Sequence, residues 1–270
     1  MTVFRTMTCA AALAAIASSA LAADMGRPAI SPALPGAPLP QQHVMGYVEG
    51  VYTYGQTDGA FGDQNIGTIR GAINVPTAEG FNLQVDGRYS HEASEGFHHD
   101  VVGGALHGYL RGPVYAVGVF VDGDYVTGTG NTFHGYMGGL EGAYFLDNIT
   151  LLAAAAVGQS VTPTNDSTDY FAKIGARAYA SDNLRFDLEG GAKWVELAGG
   201  RRDKLFVEAA ANYRLTAMPV TMFAGYRYDQ LQKGLNGFTG DTDSNHYFAG
   251  LRYSFGSQSL KEEERAGPLW

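Results

Sequence analysis

Six residues in one stretch carry the chemistry of a cation site: His91, Glu92, Glu95, His98, His99 and Asp100. Imidazole and carboxylate are ligands for divalent metals, but this spacing follows no zinc pattern. A solvated acidic loop is the expectation, and no metal is assigned. Asp241-Thr242-Asp243-Ser244-Asn245 copies the opening of a calcium loop, yet His246 stands where the loop needs glycine and no glutamate closes it. Gly128-Thr129-Gly130 lacks a third glycine and a following helix, so it reads as a turn and not a phosphate cradle. Ser90 and His91 are adjacent, and adjacent strand side chains face opposite ways, so they make no nucleophile–base pair. His107, His134 and His246 fall on polar strand faces with no serine at a partner's spacing. No enzyme activity and no cofactor are expected.

The charges that recur are those on one face of alternating segments. In Phe81-Asn82-Leu83-Gln84-Val85-Asp86-Gly87-Arg88-Tyr89 the odd positions are apolar or glycine and the even ones polar. A strand throws successive side chains to opposite faces, so this segment has one greasy and one charged side. The same pattern runs through 69–75, 115–122, 184–194, 204–215 and 220–229, and more weakly through 44–54, 102–110, 133–146, 149–157, 170–180 and 245–255. About twelve strands of roughly ten residues follow, the length of a tilted membrane-spanning strand. Short turns at 76–80, 112–113, 147–148, 181–183 and 216–219 alternate with mostly longer polar links at 55–66, 90–99, 127–131, 159–168, 198–202 and 230–244.

That layout places short turns on one side of a membrane and longer loops on the other. The fold class expected is all-β: a transmembrane antiparallel up-and-down barrel with short periplasmic turns and longer extracellular loops. A soluble sandwich also alternates, so the decision rests on the rings. On the apolar faces Tyr52, Tyr54, Tyr89, Tyr125, Tyr136, Tyr170, Trp194, Tyr226, Tyr228 and Tyr247 fall near one rim, and Phe81, Tyr115, Tyr144, Phe186, Tyr213, Tyr253 and Phe255 near the other. Small aliphatics lie between. Rings at both edges of an apolar band match the two interfacial girdles of a membrane barrel, whereas a sandwich core has no reason to exclude them from its centre.

Composition agrees. The 270 residues are only 17% charged, against roughly 25% for soluble domains. With 18 Lys and Arg against 27 Asp and Glu, the chain is acidic, which argues against nucleic acid as a partner. Residues 1–23 read as a secretory signal: Arg5, then an apolar run, then the cleavage-type triplet Ala20-Leu21-Ala22. Its removal takes away Cys9, the only cysteine. Residues 24–43 are rich in proline and read as an extended periplasmic lead-in, 44–255 as the barrel, and 256–270 as a periplasmic C-terminal tail.

The last strand ends Gly250-Leu251-Arg252-Tyr253-Ser254-Phe255. Gly250, Tyr253 and Phe255 resemble the assembly signal of bacterial outer-membrane proteins, and with the leader and strand pattern the chain resembles the porin-like outer-membrane β-barrel superfamily. Two departures stand out: Phe248 occupies a position usually polar, and a tail follows the terminal aromatic. The resemblance implies insertion by the barrel-assembly machinery and residence in the cell outer membrane, among lipid and lipopolysaccharide.

The functional expectation is a monomeric, passive, narrow channel for small hydrophilic solutes, with no plug. Its lining candidates are Glu49, Arg70, Asp86, His107, Glu141, Arg177, Glu189, Glu208, Arg227 and Arg252. Bases cluster on the last five strands and acids on earlier ones, so a transverse field across the lumen is expected. A non-conducting structural or surface-interaction barrel is the rival reading, and a lipid hydrolase at the rim a third.

Overall fold

The structure, a computed structural model, describes residues 43–57, 62–77, 80–94, 96–129, 131–163, 166–197, 200–233 and 242–269. The expected leader and nearly all of the proline-rich segment lie outside them, as do Glu95, Gly130 and Asp241 of the loops considered above. Twelve strands form: β1 Met45–Thr57, β2 Asp63–Pro76, β3 Phe81–Ser94, β4 Phe97–Arg111, β5 Tyr115–Gly128, β6 Asn131–Phe145, β7 Ile149–Val161, β8 Asp166–Ser181, β9 Leu184–Leu197, β10 Gly200–Arg214, β11 Val220–Lys233 and β12 Thr242–Phe255. One short helix, α1 (Leu260–Ala266), follows.

Each strand pairs antiparallel with its sequence neighbours, and β1 closes on β12 with Glu49 opposite Arg252. Closure leaves no unpaired edge, which the interior of a bilayer demands because no water is there to satisfy one. The strands run 13 to 16 residues, longer than the expected ten. Much of what reads as polar loop therefore continues the ladder: His91 pairs with Asp100 and Glu92 with His99 before the hairpin turns between Ser94 and Phe97. Alternation in polar sequence is a weak signal, which is why these ends look like loops.

The apolar faces point outward. Leu140 and Ile174 are 66% and 70% exposed, and Val48, Ile69, Val85, Leu106, Val119, Leu188, Val207 and Leu251 join the same outer band. Water would make so large a continuous apolar surface untenable; acyl chains make it favourable. At the loop side the band ends in tyrosines whose hydroxyls donate to the neighbouring strand: Tyr89 to Asp100 (2.7 Å), Tyr136 to Gln159 (2.6 Å) and Tyr226 to Asn245 (2.6 Å). The ring meets lipid while the hydroxyl meets a polar collar, as the headgroup level favours. Leu140 sits between outward Tyr136 and Tyr144. Leu140→Arg should cost about 2–4 kcal/mol of folding stability in lipid vesicles, the penalty of a cation near the bilayer midplane; urea unfolding from vesicles reads this directly.

Inward aromatics are the feature that alternation alone does not foresee. Phe206 stands opposite Gly191, Phe223 opposite Gly250, Phe248 opposite Gly225 and Phe120 opposite Gly139. In each pair a ring lies over the bare backbone of the neighbouring strand, where a Cβ would collide with it. Phe248 is thus no anomaly but half of such a pair. Gly250 belongs to the expected assembly signal, and it also makes room for Phe223 and for the Gly50 carbonyl. Gly250→Leu should overpack the wall by about 1–3 kcal/mol or more, seen as a lower unfolding midpoint by heat-modified electrophoretic mobility. Tyr253 and Phe255 face outward near the short-turn rim, Phe255 lying over Gly46.

Candidate functional site: the lumen and its mouth

All ten lining candidates face the interior, because the strand parity that exposes the apolar band must turn the intervening residues inward. They do not form one open wall. Arg70, Glu208 and Arg227 border a cavity of about 560 Å³ on the loop side, together with Lys204, Asp229 and His246. The others are spent on one another or on the C-terminal tail.

The wall between is laced across strands. Arg88 of β3 reaches over β4 to β5, binding both Asp122 oxygens (2.7 and 2.8 Å) and Asp124 (2.9 Å). His107 lies between two acids, with Nδ1 2.9 Å from Glu141 and Nε2 3.2 Å from Asp86, and its ring stacks on Phe120. Glu189 holds Lys173 at 3.3 Å, and Asp169 holds Lys193 at 2.8 Å. Glu49 is fully buried and accepts from both Arg70 and Arg252. The expected transverse field is therefore corrected: the signs are interleaved, since a charge removed from water must find a partner at contact distance.

The basic excess of the late strands finds its remaining counter-charge in the tail. Gly256, with φ of 81°, turns the chain back where it leaves β12, a conformation an L side chain resists. Ser259 then caps α1, its hydroxyl accepting from the Glu262 amide at 3.1 Å. Two consecutive glutamates of α1 enter the barrel. Glu263 binds Arg214 and, at 3.0 Å, Arg252. Glu264 accepts from Arg177 (2.8 Å), Tyr179 (2.6 Å) and Thr150 (2.8 Å).

The segment beyond the helix goes on filling the opening. Arg111 donates to the Gly267 carbonyl at 2.7 Å, and Asn74 to that of Ala266 at 3.0 Å. The Leu269 amide donates to Gln84 at 2.9 Å, while its side chain is wholly buried against Tyr109, Ala116, Ala143, Phe145 and Leu152. Outside this seal, Lys261 bonds Asn148 at 2.9 Å and Arg265 stacks on Phe145. The sequence leaves the place of the tail open; in the structure residues 257–269 occupy the short-turn mouth.

Burial pushes the Glu263 and Glu264 carboxyls up, but the guanidiniums facing them outweigh it (Arg252 and Arg214 for Glu263, Arg177 and Arg185 for Glu264). Both end below the ordinary carboxylate range.

Sequence reasoning missed Arg111, Arg185, Arg214, Tyr179, Glu263, Glu264 and Leu269 as a constellation. A signal was present in Ser259-Leu260-Lys261-Glu262, a capping-box spacing, with Gly267-Pro268 to stop the helix. At the loop-side rim, the suspected cation ligands divide: His91 and Asp100 bond each other at 2.9 Å on the outer face, whereas Glu92 lines the inner cavity. Among the described residues no group of three such side chains converges.

No family model matches the chain, and no curated protein does. Solved structures do. The β domain of the Bordetella autotransporter BrkA superposes with a TM-score of 0.53 at 14% identity, covering 78% of this chain and 99% of that one. An outer-membrane channel from Pseudomonas putida F1 superposes with a TM-score of 0.53 at 12% identity, covering 83% of this chain and all of that one. At these identities the likeness is one of fold. The chain is a closed antiparallel β-barrel of twelve strands among the described residues, with the fold of outer-membrane barrels.

Proposed function

We propose that the protein is an outer-membrane channel for small hydrophilic solutes, held shut at rest by its own C-terminal tail. The observation that carries this reading is the way the mouth is closed. The blocking element is the segment that leaves the barrel at the end of β12, held by ion pairs, hydrogen bonds and two buried leucines, Leu260 and Leu269. Its removal requires no ladder hydrogen bond to break. Closure by packed strand residues alone would have served a purely structural barrel, and the charged loop-side cavity would have no use in one.

The rival reading, a non-conducting barrel, draws on the interleaved ion pairs around Arg88 and His107, which fill part of the interior. Planar-bilayer recording separates the two. The full chain should show rare current steps from a long-lived closed state, and Glu263→Gln with Glu264→Gln should raise the open fraction by about tenfold or more, since each buried pair broken is worth more than one decade. A silent double variant that retains its folded mobility would favour the structural barrel.

A further inference from the structure

Arg70 lines the cavity with bonding capacity left over. Half of its side-chain surface is open to the cavity although it sits deep in the barrel. Its Nε is engaged by Glu49, while its Nη atoms hydrogen-bond to no described residue. Nor does Glu49 neutralise it fully. Glu49 is shared with Arg252, Arg252 shares Glu263, and Glu263 also holds Arg214. That chain contains three guanidiniums and two carboxylates, and Arg70 is the end that reaches solvent.

Four of the other charged groups around the cavity are matched to one another. Asp229 takes Arg227 at 2.9 Å, Lys204 at 3.2 Å and His246 at 3.3 Å, and Glu208 lies 3.6 Å from Arg227. Glu92 stands apart on β3, toward the rim. The lining of the cavity is mixed, with the Thr68 hydroxyl and the rings of Phe223 and Phe248 alongside Arg70's edge of the same space. A planar guanidinium edge with two free donors matches a carboxylate in a two-pronged geometry. Rings beside it suit an apolar body behind that carboxylate.

We infer that the loop-side cavity is a binding site for a small organic carboxylate, gripped by the Nη edge of Arg70 with its apolar part against Phe223 and Phe248. The site names a solute class for the channel proposed above and in that sense rests on it. Binding is nonetheless measurable in detergent without a bilayer, so absent conductance and absent binding are separate results.

The experiment is calorimetric titration of the full chain in detergent with benzoate and with benzamide, a pair alike in shape and different in charge. Benzoate should bind and benzamide bind at least about tenfold more weakly, the margin of a charge-assisted pair. Arg70→Gln should weaken benzoate about tenfold, and Arg70→Lys, which keeps the charge but loses the fork, by a smaller factor. Glu208→Gln leaves Arg70 intact and removes a nearby repulsion, so it should tighten benzoate a few-fold. Equal affinity of the native chain for benzoate and benzamide would overturn the inference whatever the variants do. So would benzoate affinity unchanged in a folded Arg70→Gln, or weakened in Glu208→Gln.

Discussion

A chain ending at Gly256 should conduct in planar bilayers and should pass anions in preference to cations. The expectation follows from what the tail covers. Arg111, Arg177, Arg214 and Arg252 all turn into the short-turn mouth and bond to tail atoms. Removing residues 257–270 removes the Glu263 and Glu264 carboxylates that offset them. Glu49 and Asp187 remain, tied to Arg252 and Arg185. A ring of guanidiniums with few acids between them sets an electrostatic barrier to cations and attracts anions.

The effect should be large. The full chain should be mostly closed, while the truncated chain should show persistent steps whose reversal potential in a salt gradient has the sign of anion flow. Cation preference in the truncated chain would contradict the assignment of these arginines to the mouth. Folding should survive truncation, because the tail contributes no ladder hydrogen bond and the terminal strand then ends close to Phe255.

Acid should open the full chain. Docked Glu263 and Glu264 titrate below the ordinary carboxylate range. A group whose pKa is lowered by docking stabilises the docked state above its undocked pKa, and that stabilisation disappears as pH falls through the docked value. Docking is therefore at full strength near neutrality, begins to weaken once pH drops under the reference glutamate pKa of about 4.3, and is lost as pH falls through the lower docked values. If the tail stayed in place, a buried guanidinium losing its carboxylate would cost about 3–5 kcal/mol. Undocking avoids that penalty, so the tail leaves and the barrel itself persists. The open fraction should rise steeply over that acid range, and Glu263→Gln with Glu264→Gln should flatten the pH dependence. A double variant with an unaltered acid response would place the sensor elsewhere.

The outer half of this account was legible in the chain. The alternation at Phe81–Tyr89 marks an oily and an ionic face without any knowledge of neighbours, because period two is a property of one strand. The inner half was not, because it depends on register. Arg88 meets Asp122 only once β3, β4 and β5 are aligned, and no single segment reveals that alignment. Bases counted on late strands suggested a field; the pairs Lys173–Glu189 and Arg227–Asp229 show how local compensation removes it. Phe248 looked out of place on a polar face until Gly225 was found opposite. The tail was hardest to read: α1 has seven residues, a charged sequence and no apolar stripe. It docks through ion pairs and two leucines, Leu260 and Leu269, not through the continuous apolar face by which an inserted helix is usually recognised.

The most direct test is to fasten the tail in place. Asn148 and Lys261 touch at the accessible rim of the mouth, 2.9 Å apart. In a Cys9→Ser background, Asn148→Cys and Lys261→Cys can be joined by a short linker that a reductant cleaves. Recorded at acid pH, where the unlinked protein opens, the linked protein should stay silent until reductant is added and then conduct. Equal current before and after cleavage would show that ions do not pass where the tail lies, and closure by the tail would be contradicted.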